Sequence, residues 1–310
     1  MEELWQIYLP VAGIKLNVCI LLTIGIFAGL LAGMFGLGGG LVVVPILMAI
    51  GIDPKVAVAS ATNQMTAASF SSYLAYARKG RVDYKLAVVM LTGGLPGAFI
   101  GILLFYFLAE IGKLDVVVSL CFIALLSIVG CVTMFDALLM AFSKIKRHPW
   151  THNRRIFTLP STLHLPIRLR FDSGANSISI FSPVLIGLVA GILMALMGIG
   201  GSLIMIPAMV YILNISHSYT AGTVHLQIIF TTILTTLLHA LTSHNIDILL
   251  SSILILGTAF GAQIGAKLAS KIHPEYFQII MALIIFGICV MIMRGLLEEP
   301  AMLYTVEWVR

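Results

Sequence analysis

Long apolar stretches are the feature that most constrains this chain. Several run for about 18 residues or more with hardly a charge, the length that a helix needs to cross roughly 30 Å of hydrocarbon. Composition agrees: 60% of the 310 residues are hydrophobic and 10% are charged, against about 45–50% and about 25% in soluble domains. The sequence therefore predicts an all-α, polytopic integral membrane protein in a lipid bilayer. It excludes a soluble enzyme, a nucleic-acid binder and a disordered tail.

The chain also contains an internal duplication. The segment GLGGGLVVVP at 36–45 returns as GIGGSLIMIP at 198–207. Further glycines match after a slip of one or two residues, namely Gly93, Gly97 and Gly101 with Gly257, Gly261 and Gly265. Matches in register over this length indicate two related halves.

Each half divides into about five apolar segments, separated by a glycine-rich break and short loops. The segments fall near 17–36, 40–51, 56–77, 85–109 and 114–141, and near 183–198, 202–214, 218–242, 248–271 and 276–297. This predicts a first membrane repeat over 1–141, a linker over 142–182 and a second repeat over 183–310. The linker is the only long polar stretch, and its many Lys and Arg residues against the single acid Asp172 predict a cytoplasmic position.

Charge in equivalent loops predicts that the halves are inverted. Loop 78–85 carries four Lys or Arg residues and its counterpart near 242–247 carries none, so the positive-inside rule places them on opposite sides. Inversion requires an odd number of crossings per half, which favours five plus five with both termini outside the cytoplasm. The alternative is that 40–51 and 202–214, only about 18–20 Å long as helices, are re-entrant, with parallel halves and eight crossings.

The paired glycine breaks are the candidate binding site. Short or glycine-interrupted segments in corresponding positions of two halves point to the binding site of a secondary transporter. A helix that begins after such a break presents free N–H groups and its positive dipole end, which suits an anion. The predicted ligand contacts are Gly38, Gly39 and Gly40 in the first half and Gly200, Gly201 and Ser202 in the second. The alternative is that these glycines serve only close helix packing.

The third segment of each half carries polar residues that are unusual in a membrane span. Hydroxyls and amides at that depth normally face the bundle interior or a cavity, and they can bind an oxyanion, although interhelical hydrogen bonding is the alternative. The candidates are Thr62, Asn63 and Gln64 in one half and Thr223, His225 and Gln227 in the other. Because Asn63 and Gln64 point in different directions, we expect at most one of them to touch ligand.

Titratable groups are scarce in the predicted spans. His225 is the one residue well inside the polar cluster that could couple transport to protons, unless it sits neutral in a helix interface. Asp83 and Asp247 stand at helix entrances, where a capping role is expected. No phosphate loop, nucleophile–base spacing or metal-ligand cluster is evident, so we expect no enzyme, no cofactor and no metal.

The duplicated GLGGGxxxxP and GIGGSxxxxP elements, the Gly80–Asp83 turn and the glycine ladder resemble the TauE/SafE family of sulfite exporters. The resemblance covers nearly the whole chain except 142–182. It implies a multi-pass protein of the bacterial inner membrane that moves small anions, often sulfite or organosulfonates such as sulfoacetate. Ser202 and the Thr223–His225 stretch depart from the family pattern.

Together these features predict a secondary transporter that moves a small anion by alternating access between the two repeats. The alternatives are a different cargo, such as a metal ion or a neutral metabolite, and a membrane scaffold or assembly factor in which the glycines serve packing alone. The residues leave cargo, direction, coupling ion and oligomeric state open.

Overall fold

The computed structural model describes residues 5–35, 39–142, 168–169, 178–213, 215, 217–242, 245–269 and 274–297. The first half forms helices α1 Val18–Phe35, α2 Gly40–Ala49, α3 Pro54–Ala77, α4 Tyr84–Glu110 and α5 Leu114–Phe142. The second half forms α6 Phe181–Met197, α7 Ser202–Pro207, α8 His217–Thr242, α9 Ile248–Ala269 and α10 Pro274–Leu297. The predicted all-α fold is confirmed.

Four of these helices contain segments that are long and apolar enough to cross a membrane. They are Tyr84–Glu110, Leu114–Cys131, Tyr219–Thr242 and Ile248–Gly265. Large apolar side chains, among them Phe99, Leu103 and Phe260, are exposed on the outside of the bundle, where water would make them costly and lipid would not. The chain is a multi-pass membrane protein.

Helix ends follow from the local sequence. Asp83 Oδ1 accepts a hydrogen bond from Leu86 N at 3.0 Å, and Asp247 Oδ1 accepts one from Leu250 N at 3.1 Å. Each carboxylate satisfies a backbone donor that the first turn of a helix leaves without an intrahelical partner. The predicted capping role of both aspartates is confirmed.

The short segment at 202–214 differs from the continuous helix that was predicted there. The α-helix ends at Pro207, and the chain continues as a π-helical turn over Ala208–Ile212. Proline has no N–H to donate and its ring crowds the preceding turn, and a single π turn is one way in which a helix accommodates such an interruption. The matching Pro45 lies inside an unbroken α2.

One pair of short strands precedes the first helix of each half, and neither pair was predicted. Strand β1 Gln6–Leu9 pairs antiparallel with β2 Ile14–Asn17, and β3 Arg168–Leu169 pairs with β4 Ile178–Ser179. In the first hairpin, the turn donates from Val11 N and Ala12 N to Asp247 Oδ2 at 3.0 and 3.3 Å. Most of the predicted linker over 142–182 lies outside the described residues.

The two halves interlock through helices that pack across the boundary between them. Helix α1 packs on α9, and α4 packs on α6. A Cβ built on Gly25 would lie 2.9 Å from Leu254 O, and one on Gly29 would lie 2.9 Å from Ala262 N. Since the contacts advance in the same direction along both helices, α1 and α9 run parallel.

Two further pairs join equivalent helices of the two halves, α3 with α8 and α5 with α10. The helices of each pair run antiparallel. Thr66 Oγ1 and Thr232 Oγ1 are 3.0 Å apart, and the rings of Tyr76 and His225 are 6.3 Å apart. One helix therefore advances from 66 to 76 while its partner goes back from 232 to 225. In the α5–α10 pair, Ser127 Oγ lies 3.5 Å from Cys289 Sγ, and a Cβ on Gly130 would lie 3.1 Å from Ile285 Cγ2.

Candidate functional site

Gly40 at the end of the first glycine break lies against Gly198 at the start of the second. A Cβ on Gly40 would collide with the carbonyl oxygen of Gly198 and with Met65 Sδ. Gly198 ends α6 with φ of 64°, and Gly39 precedes α2 with φ of 73°. Both backbone conformations favour glycine. Gly38 lies outside the described residues.

The start of α2 combines a helix N-terminus with a buried amide. A Cβ on Gly39 would lie 3.2 Å from Gln64 Nε2, so no side chain separates the backbone of the break from this amide. Val42 N and Val43 N donate to Gly39 O at 3.3 and 3.4 Å, so the N–H groups of Gly40 and Leu41 are the ones without an acceptor within the helix. The positive end of the helix dipole lies here. Gln64 lies beside the first break, whereas Asn63 is only partly buried.

The second break has different surroundings. A Cβ on Gly201 would lie 3.0 Å from Ala190 Cβ and 3.3 Å from Met194 Cε, so apolar groups surround this glycine. Ser202 is fully buried, and its hydroxyl donates to Gly200 O at 3.3 Å. The atoms nearest to Gly201 are therefore those of apolar side chains, in contrast to the Gln64 amide beside Gly39.

Gln64 and Gln227 occupy equivalent positions on α3 and α8, and both are fully buried. Gln64 Nε2 donates to Thr258 Oγ1 on α9. Gln227 Nε2 donates to Thr231 Oγ1, one turn further along α8, at 2.9 Å. Neither carbonyl oxygen, Gln64 Oε1 or Gln227 Oε1, has a hydrogen-bond partner among the described residues.

Both predicted threonines have mainly structural contacts. Thr62 Oγ1 donates to Val58 O at 2.8 Å, within its own helix. Thr223 Oγ1 donates to Tyr219 O at 2.7 Å and accepts from Asp83 N at 2.9 Å. Thr223 therefore links α8 to the start of α4, and its hydroxyl is already engaged.

That link has a counterpart in the other half, which the sequence patterns did not identify. Asp247 N donates to Ser60 Oγ at 3.4 Å, as Asp83 N donates to Thr223. Each third helix therefore holds the entrance of the fourth helix of the opposite half. The available signal was the spacing within each half, since Ser60 precedes Asp83 by 23 residues and Thr223 precedes Asp247 by 24.

His225 is fully buried, and neither ring nitrogen has a hydrogen-bond partner in the part of the chain that the structure describes. The ring of Tyr76 on α3 lies 6.3 Å away between ring centroids. The described residues contain no group of three His, Cys, Asp or Glu side chains that could hold a metal ion. The buried acidic and histidine side chains among the described residues are those of Asp83, Asp247, His225 and His239.

Comparison with known proteins identifies relatives of the chain. The family model described as sulfite exporter TauE/SafE matches residues 21–292. The chain is 27% identical to the probable membrane transporter protein YunE of Bacillus subtilis (strain 168) over 288 residues, which cover 89% of this chain and 98% of that protein. It is 26% identical to the probable membrane transporter protein YjnA of the same organism over 274 residues, covering 86% and 95% of the two chains.

A partial match reaches a plant protein. The chain is 31% identical to sulfite exporter TauE/SafE family protein 3 of Arabidopsis thaliana over 135 residues, covering 41% of this chain and 27% of that protein. No solved structure matches. From the match over residues 21–292, the chain belongs to the sulfite exporter TauE/SafE family and is a membrane transporter, not an enzyme.

Proposed function

We propose that this transporter is a secondary carrier of a small anion, sulfite or an organosulfonate, which binds where the two glycine breaks meet. The observation that carries the proposal is the start of α2, where Gly39 lies beside the buried Gln64 amide and Gly40 lies against Gly198 O. Free backbone N–H groups, a positive helix end and neutral polar side chains suit an anion that must leave again.

Alternating access between two inverted repeats fits the directions of the helices. The equivalent helices α3 and α8 run antiparallel, as do α5 and α10. A two-fold axis in the membrane plane would relate the halves in this way. Inversion needs an odd number of crossings, so α2 and α7 together with their breaks would carry the chain across the membrane. Eight crossings with parallel halves would make α3 and α8 parallel.

We place the protein in the inner membrane of a bacterium, with the basic linker on the cytoplasmic side. The family and one of its members in Arabidopsis thaliana are named as sulfite exporters, and this supports sulfite as the first cargo to test. His225 is the proposed proton-coupling residue because it is buried without a hydrogen-bond partner among the described residues and lies on the polar helix α8.

The test is uptake of radiolabelled sulfite, sulfate and sulfoacetate into proteoliposomes of the purified full chain, with and without an imposed pH gradient. We expect saturable uptake of at least one sulfur anion. If His225 couples transport to protons, the gradient accelerates wild-type uptake and leaves the His225→Ala variant unaffected. Uptake by His225→Ala that still follows the gradient removes His225 from the mechanism. Folded protein that takes up none of the three anions contradicts the assigned cargo.

A further inference from the structure

The orientation of both buried glutamine amides is fixed by threonine hydroxyls. Thr258 Oγ1 donates its only proton to Gly25 O at 3.2 Å, so towards Gln64 it can act only as an acceptor. Thr231 Oγ1 likewise donates to Gln227 O at 3.0 Å. Each hydroxyl must therefore meet the NH₂ side of its glutamine amide. Gln64 Oε1 and Gln227 Oε1 are the atoms left without a partner among the described residues.

This arrangement occurs in both halves with different partners. Gln64 uses a threonine on α9, whereas Gln227 uses a threonine on its own helix, because Gly94 stands where the other half has Thr258. A Cβ on Gly94 would collide with Gln227 Nε2. Since two separate sets of contacts leave the same carbonyl oxygen unpaired, simple packing does not account for it. A buried acceptor without a partner calls for a donor.

The positive end of α2 restricts what that donor can be. The Gln64 amide lies against Gly39, which precedes the ten-residue helix α2. The N–H groups of Gly40 and Leu41 at the start of this helix have no acceptor within it. This end of the helix dipole attracts negative charge and disfavours a metal cation such as Na⁺. The ligand that fits both features carries a negative charge for the N–H groups and an O–H or N–H donor for Gln64 Oε1.

We propose that the cargo binds as a monoanion that carries its own hydrogen-bond donor, such as hydrogensulfite or a hydroxyalkanesulfonate, and that Gln64 Oε1 accepts that donor. Gln227 Oε1 is the equivalent acceptor in the second half. This inference rests on the proposed anion transport and narrows its substrate class. It predicts discrimination against sulfate and against sulfonates without an O–H or N–H group.

The test compares two sulfonates of equal charge and equal heavy-atom number as inhibitors of radiolabelled sulfite uptake into proteoliposomes of the full chain. One is 2-hydroxyethanesulfonate and the other is 1-propanesulfonate, which has a methyl group in place of the hydroxyl. We expect the hydroxylated compound to inhibit at a concentration at least about tenfold lower, since a site built around a hydrogen bond rejects an analogue that lacks it. The comparison is made at one pH, so no protein group changes its charge between the arms.

Two variants locate the effect. Gln64→Met keeps the side-chain length and removes the acceptor, and we expect it to lose the preference between the two sulfonates. Gln263→Met changes an exposed glutamine on α9 and is expected to keep the wild-type preference. The wild-type comparison stands by itself if Gln64→Met does not fold.

The outcomes separate this inference from the proposed function. Equal inhibition by both sulfonates in a protein that takes up sulfite overturns the donor proposal alone. Sulfite uptake that requires Na⁺ and shows no preference between the sulfonates also overturns it, in favour of a cation at Gln64 Oε1. If folded protein takes up no anion, the proposed function fails and the donor proposal fails with it.

Discussion

Replacing Gly257 and Gly261 together by leucine is expected to abolish recovery of folded protein. A Cβ on Gly257 would lie 2.7 Å from Leu22 O, and one on Gly261 would collide with Ile26 O and lie 2.8 Å from Leu30 N. The obstacle is backbone, which cannot move aside as a side chain can. Overpacking costs typically about 1–3 kcal/mol at one site, and here it occurs at two sites of the contact between α1 and α9. The measurement is the monodisperse fraction in size-exclusion chromatography, followed by thermal stability.

The matched control is Gly287→Leu on α10, where a Cβ would meet nothing within 4 Å. We expect this variant to resemble the wild type in both measurements. Gly93→Leu with Gly97→Leu should repeat the loss, because a Cβ at either position would collide with the backbone of α6. If either double variant remains monodisperse with unchanged thermal stability, the close packing of α1 on α9 or of α4 on α6 is contradicted.

Gly39→Leu is expected to eliminate anion uptake while the protein remains folded. With φ of 73°, a leucine here is strained by about 1–2 kcal/mol, and the break then shifts or the side chain fills the space beside Gln64. Either change removes the arrangement proposed to bind the anion. We expect the initial rate of sulfite uptake to fall at least about tenfold, the equivalent of roughly 1.4 kcal/mol in the barrier.

Gly201→Leu separates the roles of the two breaks. Its surroundings are Ala190, Met194 and Met205 side chains, and methionines adapt more readily than backbone. We therefore expect Gly201→Leu to retain more uptake than Gly39→Leu at equal amounts of folded protein. The reverse order would place the principal anion contacts at the second break.

Much of the helical framework could be predicted from the sequence, because hydropathy and helix caps are local. The apolar runs predicted the helices, and the duplication predicted corresponding glycine breaks. The aspartates at 83 and 247 revealed two helix starts. The crossing of α1 onto α9 could not be predicted, since a glycine such as Gly261 indicates close packing without naming the partner helix.

The contacts in the candidate site could be predicted from the sequence only in part. Gln64 and Gln227 stood out as polar residues in apolar segments, but their partners Thr258 and Thr231 lie among other membrane-embedded threonines. What distinguishes Thr258 is the position of α9 next to α3, which only the three-dimensional packing reveals. The first hairpin was missed because its contact with Asp247 joins residues more than 200 positions apart.

Counterflow tests the central claim most directly. Proteoliposomes of the full chain are loaded with unlabelled sulfite and diluted into a trace of radiolabelled sulfite, beside Gly39→Leu vesicles and protein-free liposomes. A carrier that alternates between two faces predicts transient accumulation of label above its final level in wild-type vesicles alone. Label that merely equilibrates, without an overshoot and at the same rate in protein-free liposomes, would contradict alternating-access transport of sulfite by this chain.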